Sequence, residues 1–222
     1  VAAHLTCIDA TRYETLAIAA DYNATGVNHI VALRGDPPKG SSNYHTRADG
    51  FQSSIELTAA LANRGFDVTV GAYPESHPNA SNRKACIDHL KAKIDAGATR
   101  AITQFFFEAE TFLRFRDDCA DAGIAAPILP GILPIESWEG VRKFAVRCGV
   151  AIPKIIKDAF ANASDPEMIN LLATAHATEL CDDLLGNSVD HLHFYTLNKP
   201  ELTHSICHAL GITPAMHHQK VA

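Results

Sequence analysis

The sequence is 222 residues long, 47% hydrophobic and carries a formal net charge of −6. A chain of that size can bury the core of one α/β domain, and an acidic balance without a long basic run argues against nucleic acid or an anionic membrane as the main partner. No apolar stretch approaches bilayer length, and the start shows no signal-peptide pattern.

The pattern is organised around Ile30-Val31-Ala32-Leu33-Arg34-Gly35-Asp36-Pro37-Pro38. The apolar run predicts a strand buried on both faces, and Pro37 ends it because proline donates nothing and disfavours helix at the residue before it. A carboxylate, Asp36, then stands at the carboxyl end of the strand beside a glycine, where parallel α/β folds build their sites. A plain exit to a solvated loop reads the stretch equally well.

Before it, His4–Ile8 predicts a short strand, and Asp9, Ala10 and Thr11 supply cap candidates for a helix over Arg12–Ala24. After the anchor strand at His29–Gly35, residues 37–49 form a loop rich in Pro, Gly, Ser and Asn. A helix over Phe51–Asn63, a strand over Asp67–Tyr73 and a helix over Ala80–Ala96 follow. The strand over Arg100–Phe107 leads to a helix over Ala109–Ala122. Pro127–Leu133 reads as a strand broken by Pro130 and Gly131 and closed by Pro134. Helices over Ser137–Cys148 and Pro153–Phe160 come next. Ser164-Asp165-Pro166-Glu167 has the capping-box pattern of a helix start, for a helix running to Leu185 and ended by Gly186. Leu192–Leu197 is the last strand and Pro200–Leu210 the last helix.

Strands alternating with helices predict a parallel sheet with right-handed crossovers. Six such units fall short of the eight of a barrel by roughly 60 residues. A start inside the third unit would account for the shortfall and for Val1 in place of Met. An open doubly wound sheet is the alternative, although the sequence holds neither a G-x-G-x-x-G after the first strand nor a Walker A loop. The scattered cysteines at 7, 86, 119, 148, 181 and 207 suggest reduced core thiols.

The strand ends present Asp36, Tyr73 with His77, Gln104, and Tyr195 with Asn198. Converging on one mouth, they offer a carboxylate, an amide, aromatic faces and hydrogen-bond donors. A buried amide in Ala101–Phe107 needs partners and could give donor and acceptor to a heterocycle edge, or could cap a neighbouring loop. Arg83, Lys84, Lys91 and Lys93 could meet a phosphate or form a solvated helix face. His204 and His208 lie four apart but lack the glutamate of a zinc-protease motif, and the tail pair His217-His218 reads as a frayed end. No metal is expected.

Together, Leu33–Pro37, Ala72-Tyr73-Pro74-Glu75-Ser76-His77-Pro78, Asp95–Ala98, Ile102–Phe107, Pro130–Pro134 and His193–Asn198 resemble the methylenetetrahydrofolate reductase family in its bacterial single-domain form, from His4 to Gly211. The resemblance implies a TIM (β/α)8 barrel, here without its first two β/α units, spanning 1–222 as one catalytic domain with 212–222 as a tail. It implies a cytoplasmic homo-oligomer that holds FAD and reduces 5,10-methylenetetrahydrofolate to 5-methyltetrahydrofolate by ping-pong hydride transfer from NADH or NADPH, in one-carbon and methionine metabolism. By the same resemblance His4, Leu33, Arg34, Gly35, Asp36, Tyr73, His77 and Lys93 hold FAD, with Lys93 near its phosphates. Asp36 and Gln104 contact the substrates, Phe144 stacks on whichever is present, and Tyr195 and Lys199 reach them.

The chain departs from the family at Cys86, His89 and Ala92, where close relatives tend to carry Asp, Asn and Arg. Thr46-Arg47-Ala48-Asp49 stands for Tyr-Ala-x-Asp, and Lys199 for a frequent Arg. The family's general acid is a glutamate on a strand absent from this sequence. A flavin- or folate-binding chain without turnover is therefore the alternative function, and an unrelated barrel enzyme is a third.

Overall fold

The computed structural model describes residues 1–36, 47–78, 80–163 and 165–212. Among the described residues six strands and eight helices follow one another, alternating except where α5, α6 and α7 come in succession: β1 (Ala2–Thr6), α1 (Arg12–Ala24), β2 (His29–Leu33), α2 (Ser54–Ala62), β3 (Asp67–Ala72), α3 (Arg83–Asp95), β4 (Arg100–Phe105), α4 (Ala109–Asp121), β5 (Ile128–Ile132), α5 (Trp138–Cys148), α6 (Lys154–Asn162), α7 (Pro166–Gly186), β6 (His193–Phe194) and α8 (Glu201–Ala209). The strands are hydrogen-bonded neighbours in chain order. The pairs β1/β2, β2/β3, β3/β4 and β5/β6 are parallel. A doubly wound sheet reverses its strand order at a switch point. Here the order never reverses, which discards that alternative and leaves the winding of a β/α barrel.

The chain divides into two compact units, Val1–Gln104 with Arg114–Pro130, and Phe105–Leu113 with Gly131–Ala222. In the first, Ile30, Val68, Val70 and Ala101 are fully buried from three successive strands. β2 and β3 are buried in continuous runs, as strands covered on both faces need, whereas β4 alternates buried and half-buried residues. Leu57 and Leu61 of α2, Leu90 of α3 and Phe115 and Cys119 of α4 complete this core. Caps set where the helices begin. Thr11 and Glu14 form a reciprocal capping box on α1, Ser53 accepts from the Glu56 amide, and Asn82 from the Ala85 amide.

In the second unit the aromatic run at 105–107 is buried throughout, with Phe106 stacked on Phe112 at 5.7 Å. Trp138 stacks on Phe160 at 5.1 Å, joining α5 to α6. The stripe Ala173, Ala177, Leu180, Leu184 buries one face of α7 at helical spacing. Leu202 and Ile206 do the same on α8.

Several expected boundaries change. β5 passes unbroken through Pro130 and Gly131. Successive amides of a strand point to opposite neighbours, so one missing donor forfeits at most one bond. β6 is only His193–Phe194 instead of Leu192–Leu197, because Leu197 and Asn198 turn into the left-handed region at φ 49° and 62°. Gly186 does not end α7 but is its last residue, and Asn187 is the C-cap. That helix starts on Asp165, which accepts from the Met168 amide, with Pro166 in its first turn. Ser164, the first residue of the expected capping box, lies outside the described residues, as do most of the 37–49 loop and the His217-His218 pair. All six cysteines are free thiols, with Cys7, Cys119 and Cys181 buried and the other three half-buried.

Candidate functional site

In the first unit the anchor strand ends as its composition requires. The Arg34 carbonyl accepts from the Cys7 amide at 3.3 Å and the Ile8 amide at 3.0 Å, tying the exits of β1 and β2 together. Gly35 then takes φ +93°, where a Cβ would lie 2.5 Å from Ile8 Cγ2. Only glycine fits that turn, which lies half-buried next to the exposed carboxylate of Asp36. Leu33 and Arg34 are half-buried beside it, and His4 is exposed on β1.

At the exit of β3, Tyr73 and His77 meet edge-to-face at 4.6 Å. The His77 amide donates to Cys86 Sγ at 3.3 Å, holding this loop on α3. Arg83 donates to the Pro74 carbonyl at 3.1 Å and to Asp118 at 2.6 Å, while Lys84 pairs with Asp88 at 2.7 Å and Lys91 with Asp95 at 3.6 Å. These three basic side chains of α3 are thus engaged with the protein.

Lys93 behaves differently. It is 5% exposed and donates to the Gly71 carbonyl. Burial pulls its pKa from 10.5 down to about 8, Cys86 opposes the shift, and no Asp or Glu contributes among the described residues. His77 is also lowered, first by burial and then by Arg34 and Lys93, with Asp36 opposing. His89, although exposed overall, is lowered by desolvation and then by Lys93, His77 and Arg34. The ends of β2 and β3 and the inner side of α3 therefore gather Arg34, His77, His89 and Lys93, with the Asp36 carboxylate acting on His77. Such a cluster of cationic side chains suits a phosphate.

Gln104 is half-buried on β4, sharing the strand face of Arg100 and Ile102, whereas Ala101 and Thr103 are buried on the other face.

In the second unit Phe144 of α5 stacks on Phe105 at 5.2 Å with 20° between the ring planes, and the Arg147 guanidinium sits over its ring at 4.9 Å. Phe107 meets Phe105 edge-on at 5.7 Å. His176 of α7 lies with Nε2 3.1 Å from the Phe107 carbonyl, which can only accept, so the proton is on Nε2. Burial lowers its pKa. Tyr195 is placed by its amide, which donates to the Ile132 carbonyl at 2.8 Å, and by an edge-to-face contact with His193 at 4.9 Å. Lys199 pairs with Glu136 at 3.0 Å.

The sequence reading passed over His176, Arg147 and Glu136. His176 falls three residues after Ala173 in the buried stripe of α7, the one signal that marked it. Arg147 follows Phe144 by three, a spacing that puts both on one helix face. Lys93 continues the stripe Ile87, Leu90 at the same spacing, which separates it from the solvent-facing Lys91. His204 and His208 are exposed on α8. Among the described residues no group of three or more His, Cys, Asp or Glu could hold a metal ion, and no helix is long and apolar enough to cross a membrane.

Known proteins resemble this chain in fold and in sequence. A solved structure described as an uncharacterized protein from Clostridium thermocellum that binds two copies of 5-methyl-5,6,7,8-tetrahydrofolic acid has a similar fold, with TM-score 0.51 and 15% identity over 95% of this chain and 93% of that one. The 5,10-methylenetetrahydrofolate reductase of Salmonella typhimurium is 45% identical over 216 residues, 97% of this chain and 71% of that protein. The Escherichia coli enzyme of the same name is 44% identical over the same shares. A probable methylenetetrahydrofolate reductase (NADPH) of Caenorhabditis elegans is 36% identical over 94% of this chain and 32% of its own length. Because the methylenetetrahydrofolate reductase family model also matches residues 1–211, the chain belongs to the methylenetetrahydrofolate reductase family of enzymes.

Proposed function

We propose that this protein reduces 5,10-methylenetetrahydrofolate to 5-methyltetrahydrofolate with NADH or NADPH through bound FAD, in two half-reactions that use one site. The observation that carries the reading is the family match over residues 1–211, which contains every strand-end motif named above. The first unit supports a flavin through its own chemistry. A buried lysine without a carboxylate partner among the described residues calls for an anion.

In this reading Lys93, with Arg34 and His77, holds the cofactor phosphates, and Tyr73, His4, Leu33 and Gly35 line the rest of it. FAD would supply the hydride relay between nicotinamide and folate. Asp36 places a negative charge where the folate intermediate becomes cationic, stabilising that form electrostatically. The Gln104 amide hydrogen-bonds whichever of the two substrates is bound. Phe144, Tyr195 and Lys199 orient the substrate rings, and Arg147 and Glu136 position Phe144 and Lys199. The domain works as a β/α barrel, as a homo-oligomer, in the cytoplasm.

The test is steady-state oxidation of NADH or NADPH by FAD-loaded protein, with and without 5,10-methylenetetrahydrofolate, and chromatographic identification of the folate product. Folate-dependent oxidation yielding 5-methyltetrahydrofolate supports the assignment. Oxidation indifferent to folate, or no flavin retained, overturns it.

A further inference from the structure

His176 of α7 grips the bend that follows β4. Its Nε2–H donates to the Phe107 carbonyl at 3.1 Å, and its ring lies against the Phe107 ring at 6.1 Å, tilted by 48°. Phe107 is buried and stands two residues past the end of β4, so its carbonyl needs a donor from outside the strand ladder. One imidazole thus holds both the backbone and the ring of the same residue. From Phe107 the contacts run on to α5. Phe107 meets Phe105 edge-on at 5.7 Å and 86°, and Phe105, only 1% exposed, stacks on Phe144 at 5.2 Å and 20°. All four side chains belong to the second unit.

We propose that His176 is a positioning residue for the two hydride transfers: by holding the carbonyl and ring of Phe107 it sets, through Phe105, the plane in which Phe144 stacks on the bound substrate. The inference deepens the assignment of Phe144 as the stacking ring and rests on it. Close-packed rings transmit a displacement because no void absorbs it. A shift of Phe107 therefore tilts Phe105, and the near-parallel Phe144 ring follows. His176 is not an acid or base in this account. Its Nε2 proton is engaged by a carbonyl, and burial lowers its pKa against the Phe107 hydrogen bond and Glu179, which keeps the ring neutral at pH 7.

The test compares wild type, His176→Leu and His176→Gln. Leucine removes the donor, whereas the glutamine amide offers an N–H at similar reach. Stopped-flow follows flavin reduction by NADH and its reoxidation by 5,10-methylenetetrahydrofolate, at a temperature where circular dichroism shows every variant folded. His176→Leu slows both transfers by about tenfold, the scale of a sub-ångström misplacement of reacting groups. His176→Gln recovers most of that loss. In a Phe144→Leu background the His176→Leu change adds less than about twofold, because the ring it acts through is gone. A histidine that only supports the fold would lower the unfolding midpoint and leave both rates within about twofold, or would slow them equally with and without the Phe144 ring. Either result overturns the proposal. Where His176→Leu does not fold, His176→Asn, polar but too short to reach the carbonyl, takes its place.

If neither nicotinamide nucleotide reduces the wild-type flavin, the flavin reading fails, and fluorine NMR of the chain with para-fluorophenylalanine in place of Phe144 decides. A resonance shifted or broadened by His176→Leu and returned by His176→Gln upholds the positioning of Phe144 by His176. A resonance indifferent to both substitutions overturns it.

Discussion

Replacing Lys93 by Met should stabilise the protein without its cofactor. The folded state holds this ammonium almost fully buried on one carbonyl, with its pKa near 8 against 10.5 for an ordinary lysine. A lowering of about 2.5 units means that keeping the charge costs the folded state about 3 kcal/mol at pH 7. Methionine has a similar unbranched length and no charge. It forfeits the hydrogen bond to Gly71, worth ~1 kcal/mol, and leaves that carbonyl short of a donor. The net expectation is a gain of ~1–2 kcal/mol at pH 7. The sign of the pH dependence is fixed as well. A lysine lowered in the folded state penalises folding fully below about pH 8, and the penalty fades between pH 8 and pH 10.5 as the unfolded lysine also loses its proton. The advantage of Lys93→Met should therefore shrink by about 2 kcal/mol between pH 7 and pH 9.5. Urea unfolding of both apoproteins at the two pH values measures it. A variant less stable than wild type at pH 7, or an advantage that grows with pH, would refute the idea that Lys93 is kept charged at the expense of stability.

Other substitutions separate the roles assigned above. Gly35→Ala should cost about 1–3 kcal/mol from the left-handed backbone alone, with more from the clash at Ile8; urea unfolding checks it, and Ile8→Ala should restore only the steric part. Asp36→Asn should slow the folate half-reaction at least about tenfold while changing flavin reduction by NADH little, because its charge acts on the cationic folate intermediate; equal losses in stopped-flow would count against that role. Gln104→Leu should slow both half-reactions by roughly 5- to 150-fold, the effect of leaving a ligand polar group unpaired, and unchanged flavin reduction would exclude it from the nicotinamide.

Much of this was legible in the residues because the signals were local. Buried parallel strands announce themselves as short apolar runs, and Thr11 falls beside the first residue of its helix, whereas the helices expected from Phe51 and Ala80 begin at Ser54 and Arg83, behind caps at Ser53 and Asn82 that the pattern had not singled out. The anchor strand stops at Leu33 rather than Gly35 because the Arg34 carbonyl turns to the β1 exit, a tertiary bond no local pattern encodes. β6 shrank for a similar reason, since the left-handed pair Leu197 and Asn198 carries no glycine to advertise it. Lys91 and Lys93 look alike in sequence, yet two residues on a helix are about 200° apart. One pairs with Asp95 at the surface and the other is buried. Aromatic spacing hinted that the run at 105–107 was core, but the partnership of Phe105 with Phe144 spans 39 positions and only folding reveals it.

The central claim is that one flavin passes hydride from nicotinamide to folate in this chain. Anaerobic stopped-flow of the FAD-loaded protein tests it most directly, first with NADH or NADPH alone and then with 5,10-methylenetetrahydrofolate added to the reduced protein. The account predicts bleaching of the flavin absorbance in the first mixing and its return in the second, with 5-methyltetrahydrofolate formed in proportion to flavin reoxidised. A flavin that bleaches but is not reoxidised by the folate, or one that neither nicotinamide nucleotide reduces, would contradict it.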